Sequence, residues 1–177
     1  MRVAGRKTKL SAFAALCAVA VAAASAPACA DNVLTTRRLG AGLAAEAVSE
    51  AVAACAKQGY KITATVIDTD GVPQAILRGD GASMTTLDAS RDKAYTVLTL
   101  GAARGEDVNS AVAQRFGTTP SPGGLAKLPH ILLTGGAVVI KSGSEAIAAI
   151  GVGGAPGGDL DEACAKAGLD KISDRLK

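Results

Sequence analysis

Two groups of side chains in this sequence have the types and spacing that could do chemistry. The first is His130, the single histidine of the chain. The second is a short helical stretch that contains Arg91, Lys93, Tyr95 and Thr96. Arg91 and Tyr95 share one face of such a helix, because residues four apart lie above one another. These five residues are the candidate ligand-binding residues of the protein.

The chemistry that these residue types would permit is haem binding. Imidazole and phenolate groups are both axial ligands of haem iron, and cationic side chains pair with carboxylates such as the haem propionates. The sequence leaves plainer alternatives open. His130 could be a partly exposed residue at the start of a strand, and the helical residues could form a solvated face with ordinary ion pairs. A typical metal site is not expected, because no second histidine or clustered acid accompanies His130.

Other catalytic and metal-binding patterns do not occur in the sequence. It contains no G-x-S-x-G motif, and His130 has no evident Ser or Cys partner. The acids Asp68, Asp70, Asp80 and Asp88 do not have the spacing of an EF-hand calcium loop. We therefore predict neither a catalytic triad nor a bare metal site.

The glycine-rich stretch Gly151 to Glu162, GVGGAPGGDLDE, has the composition of a phosphate-binding loop. It lacks the Lys and Ser/Thr of a Walker loop, and Pro156 stands where a dinucleotide fingerprint has its third glycine. Asp159 and Glu162 predict a capping box at the start of the last helix, and with Asp161 they would repel a phosphate. We expect these glycines to allow close backbone approach and positive φ at a strand-to-helix corner.

Hydrophobic periodicity predicts the elements that must position these residues. In the second helix Leu87, Ala94, Val97 and Leu98 are spaced for burial. Strands gathered at two places, without strict alternation with helices, favour an antiparallel sheet of about five strands in an α+β layer fold. The first predicted helix begins at Thr35 or Thr36 and ends at Gly59, the second covers 85–100, the third covers 107–116, and the last begins at Asp159. The predicted strands are 61–68, 74–78, 131–133, 137–140 and 146–152.

The first 30 residues have the pattern of a secretory signal peptide. A cationic start is followed by the apolar run Phe13 to Ala24 and by the small-x-small site Ala28-Cys29-Ala30. This pattern predicts cleavage near Ala30, a secreted or periplasmic location, and a single domain over residues 31–177. A lipoprotein anchored at Cys29 is the alternative, but the Leu-rich approach that it needs is missing.

The charge of the chain changes once the predicted signal peptide is removed. The full sequence has a net charge of +3, and its first 30 residues contain four of the 19 basic residues and no acid. The remainder therefore has 15 basic and 16 acidic residues, a net charge of −1. We expect no nucleic-acid partner, since no basic surplus remains, and no membrane association of the mature form, since no later stretch is long and apolar enough to span a bilayer.

Two cysteines, Cys55 and Cys164, remain in the predicted mature chain. In an oxidising compartment such an isolated pair predicts a disulfide. The bond would close a loop of about 110 residues and would require the two Cα atoms to lie within about 7 Å of each other. We therefore expect the last helix to dock beside the first.

Several motifs, taken in order, resemble those of the GlcG/HbpS-like family of haem-binding or haem-degrading proteins. They are RGDGA from Arg78, KAYT from Lys93, and the C-terminal blocks GGAVVI and AIGVGGAPGGDLDEACAKAGL. The match covers the chain from Leu34 to about Ile172. The resemblance implies a profilin-like sandwich of five antiparallel strands, with the terminal helices packed together. It also implies assembly into homo-oligomers.

The resemblance implies an exported protein that binds haem or a related tetrapyrrole and serves in haem or iron sensing or protection, with a sensor protein as a partner. It places the pocket at Lys93, Tyr95 and Thr96. Two alternatives remain open. One is a small enzyme or accessory protein for a 2-hydroxy or 2-oxo acid, linked to glycolate, in which Arg78, Arg91 or Lys93 would hold the carboxylate. The other is a non-catalytic oligomeric interaction module. The sequence favours binding over turnover without deciding between them.

Overall fold

A computed structural model describes residues 35–117 and 122–177 of the chain. The predicted signal peptide and Cys29 lie outside the described residues. The described helices are α1 (Ala41–Ala56), α2 (Thr85–Thr96), α3 (Asn109–Gly117), α4 (Pro122–Leu125) and α5 (Gly158–Ile172), and the strands are β1 (Thr63–Asp68), β2 (Pro73–Arg78), β3 (Ala137–Ser142) and β4 (Glu145–Gly153). Within these ranges no helix combines the length and the hydropathy needed to cross a membrane.

The strands form one antiparallel sheet in the order β2-β1-β4-β3, which confirms the α+β class. β1 and β2 are the predicted hairpin, joined by a turn in which Gly71 has a φ of +78°. Pro73 begins β2, and β2 lies at an edge of the sheet, where a missing N–H is tolerated.

Helices cover both faces of the sheet. Alternate residues of β1 separate the two sides, as the two-residue period of a strand requires. Ala64 and Val66 face a core shared with α1 and α5, whereas Ile67 faces a core shared with Ala94 of α2. α2 continues into a π-helical turn, Val97–Gly101. The sandwich therefore has three layers, and Val112 of α3 joins α2 on the side opposite the two terminal helices.

The sheet has four strands among the described residues, because the predicted strand at 131–133 does not form. Its backbone has other partners: the N–H of Leu132 donates to Thr96 Oγ1, and the carbonyl of Leu132 accepts from Asn109 Nδ2. The place beside β3 is taken by residues 107–108. Val108 bridges to Val138 there, and the N–H of Val139 donates to the carbonyl of residue 107.

Two predicted helix starts are wrong. α1 begins at Ala41, not at Thr35 or Thr36, because the guanidinium of Arg38 bonds to Asp68 and Asp70 and holds the preceding segment against the hairpin turn. α5 begins at Gly158, with Gly157 as its N-cap and no side-chain cap.

The predicted capping box does not form because its acids serve elsewhere. Asp161 bonds to Lys93, and Glu162 accepts the N–H groups of Ser110 and Gly136. Asp159 remains in the first turn of α5. The glycine corner does allow close backbone approach, since Gly154 has a φ of +127° and a Cβ there would lie 2.6 Å from the Lys61 carbonyl oxygen.

The predicted contact between the terminal helices is confirmed. Cys55 and Cys164 form a disulfide with a Cα–Cα distance of 5.7 Å. The helices approach closely because Gly168 of α5 faces Ala47 of α1, where a Cβ would lie 2.5 Å from the Ala47 carbonyl oxygen. Arg175, just beyond α5, adds an exposed bidentate pair with Glu46 of α1.

Candidate functional site

Helix α2 carries most of the candidate residues, and the sheet fixes its position. Two buried hydroxyl pairs join them, Thr86 with Thr63 and Ser90 with Thr65, each at 2.7 Å. The helix can approach β4 because residue 151 is glycine, where a Cβ would overlap the carbonyl oxygen of Ser90. The helix therefore cannot slide or rotate freely, and its outward side chains have defined directions.

Arg91, Asp92, Tyr95 and His130 form a partly exposed cluster at the surface. Nη2 of Arg91 lies 2.8 Å from Nδ1 of His130, and the same Nδ1 lies 3.1 Å from Oδ1 of Asp92. The rings of Tyr95 and His130 meet edge to face with centroids 5.7 Å apart. The structure thus brings together two predicted residues of α2 and a histidine that is 39 positions from Arg91.

The loop that carries His130 is held by Thr96. The buried Thr96 hydroxyl donates to the carbonyl of Asp92 and accepts the N–H of Leu132, both at 2.7 Å. His130 itself has a φ of 65°, a left-handed conformation that non-glycine residues rarely adopt. Thr96 therefore anchors the loop to α2, since its hydroxyl bonds to the backbone of both.

Lys93 does not join the cluster. Its side chain is buried, and its ammonium lies 2.6 Å from Oδ2 of Asp161, which is buried as well. Burial raises the pKa of the Asp161 carboxyl, while the hydrogen bonds from Lys93 and from the N–H of Ala155 oppose that shift. The residue expected on a solvated face or in a ligand pocket is instead half of an internal ion pair between α2 and α5.

Exposed apolar side chains lie close in sequence to residues of the cluster or of the turn beside Tyr95. Val72 is 56 % exposed and follows Gly71, where a Cβ would lie 3.0 Å from the ring of Tyr95. Leu87 lies one turn before Arg91 and is 41 % exposed, although the sequence pattern predicted its burial. Leu128 is two residues from His130 and is 51 % exposed.

A fourth exposed apolar residue, Ile76 of β2, lies on the face of the sheet that α2 covers. It pairs with Thr65, whose hydroxyl points at α2. Large apolar side chains exposed around a cationic and aromatic cluster are typical of a binding surface.

The side chains of Arg91 and His130 are partly exposed to solvent. Three cavities in the described part of the protein, of about 440, 340 and 330 Å³, are lined by residues other than Arg91, Tyr95 and His130. The largest lies beside β3 and α5, between Val108 and Leu169. Of the three residues in the predicted pocket, Tyr95 lies in the cluster with His130, whereas Lys93 and Thr96 are buried.

The donor groups of this surface fit a haem. Within the described residues, Nε2 of His130 and the hydroxyl of Tyr95 have no recorded hydrogen bond, so each is available to a ligand. Imidazole and phenol are axial-ligand types, and the guanidinium of Arg91 suits a propionate. The described residues contain no group of three His, Cys, Asp or Glu that could hold a bare metal ion.

Sequence reasoning missed Asp92 and Asp161. Asp92 had a signal, because it shares a helix face with Thr96, but nothing in the spacing linked it to His130. The sequence indicates Asp161 only as an acid near the start of a helix. Its pairing with Lys93, 68 positions earlier, has no signal in a single sequence.

Comparisons with known proteins agree with this architecture. The crystal structure of HbpS is 31% identical and matches with a TM-score of 0.71, covering 78% of this chain and 93% of that one. A double mutant of HbpS from Streptomyces reticuli is 32% identical with the same TM-score, covering 84% and 97%. The PduOC:heme complex is 14% identical with a TM-score of 0.64, covering 77% and 96%, and shows the fold alone.

No curated protein sequence matches significantly. The family model of the haem degrading protein HbpS-like family matches residues 39–170, which include every element from α1 to most of α5. The chain therefore belongs to the HbpS-like family.

Proposed function

We propose that this protein binds haem or a closely related tetrapyrrole on the surface formed by Arg91, Tyr95 and His130. One observation carries the proposal: an imidazole and a phenol, whose outer atoms form no hydrogen bond within the described residues, stand beside a guanidinium at a surface that also exposes apolar side chains. The haem-related description of the family and the haem held by the same fold in PduOC support it.

A haemin titration of the protein from residue 31 onward tests the proposal. We expect a saturable Soret shift at micromolar haemin, and we expect His130→Ala and Tyr95→Phe together to abolish it. Tyr60→Phe is the matched control, because Tyr60 packs against the core on the α1 side of the sheet. Absence of a saturable shift would refute haem binding, and an unchanged shift in the double variant would refute this site.

The 2-hydroxy or 2-oxo acid alternative receives no support from the geometry. It needs cations that converge in a dry pocket. Lys93 is instead paired with Asp161, and Arg91 lies beside His130 at the surface. Arg78 is exposed on the edge strand β2. These cations make separate contacts, so we propose binding rather than chemistry on a small acid.

We further propose that the protein is exported after cleavage near Ala30. The composition of residues 1–30 and the Cys55–Cys164 disulfide, which suits an oxidising compartment, support the proposal. N-terminal sequencing of the protein recovered from the periplasm or medium checks it. A cell-retained protein that still begins at Met1 would contradict it.

Homo-oligomerisation is proposed as well. The edge strand β2 exposes Ile76 and Leu77, and unpaired sheet edges with apolar side chains favour association. Light scattering coupled to size-exclusion chromatography measures the assembly, and a mass equal to one chain at micromolar concentration would contradict it. A sensor-protein partner stays a prediction from the family resemblance.

A further inference from the structure

The side chains around Nδ1 of His130 form a closed triangle of polar atoms. Arg91 Nη2 lies 2.8 Å from Nδ1, Asp92 Oδ1 lies 3.1 Å from Nδ1, and these two partner atoms are themselves 3.1 Å apart. Arg91 can only donate, and an ionised Asp92 can only accept. The nitrogen of a neutral imidazole can do one or the other, so the two neighbours compete for it.

We propose that Arg91 and Asp92 are opposing positioning residues that select the tautomer of His130. When Nδ1 accepts from Arg91, the ring proton is on Nε2, and the outward nitrogen is a hydrogen-bond donor. When Nδ1–H donates to Asp92, Nε2 carries an outward lone pair. Only the second arrangement presents a metal ligand, because a coordinating imidazole nitrogen must be unprotonated.

The role in ligand binding rests on the proposed function. In that setting a carboxylate of the ligand that pairs with Arg91 would draw the guanidinium away from Nδ1. Asp92 would then hold the Nδ1 proton, and Nε2 would face the ligand as an acceptor. Recognition of the acid group and presentation of the imidazole are thus coupled through one nitrogen atom.

The chain is well suited to a direct test, because His130 is its only histidine. Nitrogen-15 spectra of a protein without a histidine tag report the tautomer of this one ring in mildly alkaline buffer, where imidazole is neutral. We expect Arg91→Met to raise the Nδ1–H population and Asp92→Asn to raise the Nε2–H population. Each variant removes one charge-assisted hydrogen bond, so each ratio changes by about tenfold.

Asp88→Asn is the matched control. Asp88 is an exposed acid on the same helix, 3.9 Å from Arg91, and in the described part of the chain it forms no hydrogen bond or ion pair with His130. We expect its spectrum to match that of the wild type. A wild-type spectrum in Arg91→Met or in Asp92→Asn, or shifts of both in the same direction, would overturn the competition for Nδ1.

A second arm measures haemin affinity. Loss of the residue that orients a metal-ligating histidine weakens metal binding by about 10- to 100-fold, so we expect that loss in Asp92→Asn and none in Asp88→Asn. Unchanged affinity in Asp92→Asn, with weakened binding in His130→Ala, would overturn the role of Asp92 in ligand binding. Absence of haemin binding in the wild-type protein would refute the proposed function separately. The nitrogen-15 spectra would still decide whether Arg91 and Asp92 compete for Nδ1 of His130.

Discussion

Replacing Lys93 with methionine tests whether the buried ion pair has a structural role. The side chains of Lys93 and Asp161 are only 6% and 4% exposed, and their charged atoms lie 2.6 Å apart. Methionine keeps most of the apolar volume of lysine and removes the charge. The change therefore leaves the carboxylate of Asp161 buried with only backbone N–H groups such as that of Ala155 as partners.

The expected loss is large. Breaking a buried pair by removing one partner costs about 3–5 kcal/mol in free energy of unfolding, because an uncompensated charge remains. Adding Asp161→Asn removes that charge while an amide oxygen can still accept from Ala155. The double variant then has an imperfectly paired amide, which costs about 1–3 kcal/mol. We therefore expect the double variant to be more stable than Lys93→Met by about 2 kcal/mol.

The same reasoning predicts a pH dependence. Burial already raises the pKa of Asp161 in the folded protein, and loss of the ammonium removes an interaction that opposes this rise. A carboxyl with a folded pKa above its unfolded value stabilises the protein most below about pH 4, and this contribution is lost as pH rises through the folded pKa. The deficit of Lys93→Met should therefore be largest at neutral pH and should shrink toward pH 4.

Urea denaturation followed by circular dichroism at pH 7 and pH 4.5 measures these differences. Lys166→Met is the control, since Lys166 and Asp170 form an exposed i,i+4 pair at 3.0 Å, which contributes no more than about 0.5 kcal/mol. If Lys93→Met cost no more than this control, or if the double variant were the less stable of the two, a structural role of the pair would be refuted.

Two further perturbations concern the packing of the layers. Removing the disulfide with Cys55→Ala and Cys164→Ala should lower the free energy of unfolding by about 4–5 kcal/mol, because the bond joins residues 109 positions apart; a denaturation midpoint unaffected by removal or by reduction would contradict this. Gly151→Ala should cost about 1–3 kcal/mol, since its Cβ would overlap the carbonyl oxygen of Ser90. Gly153→Ala should cost less, with its nearest contact at 3.1 Å, and the reverse order in thermal melting would contradict the packing of α2 on β4.

Local sequence patterns were sufficient to predict most of the helices and strands. The β1–β2 hairpin follows from alternating β-branched residues and a glycine turn, and helix α2 begins at the predicted Thr85. The predicted strand at 131–133 failed because a short apolar run does not reveal where its backbone hydrogen bonds go. Those bonds go to the side chains of Thr96 and Asn109, which are distant in sequence.

The candidate site could be predicted only in part, because some of its contacts are local and others join residues distant in sequence. Helical geometry places Arg91 and Tyr95 on one face, and both do contact His130. The position of His130 depends on a left-handed backbone and on anchoring by Thr96, and neither has a signature in spacing. The burial of Lys93 has no signal in the sequence, because a lysine is normally solvated and its buried partner comes from another helix.

Three consecutive residues of α2 explain how the buried pair and the surface cluster can coexist. Each step along a helix turns the side chain by about 100°, so Arg91 and Lys93 point about 200° apart. When Lys93 is directed at Asp161 in the interior, Arg91 is necessarily directed outward, toward His130. The hydroxyl pairs of Thr86 and Ser90 fix the same rotation independently of Lys93. A folded Lys93→Met protein should therefore keep the orientation of Arg91, so the large stability loss expected for this variant should not be accompanied by a loss of haemin affinity.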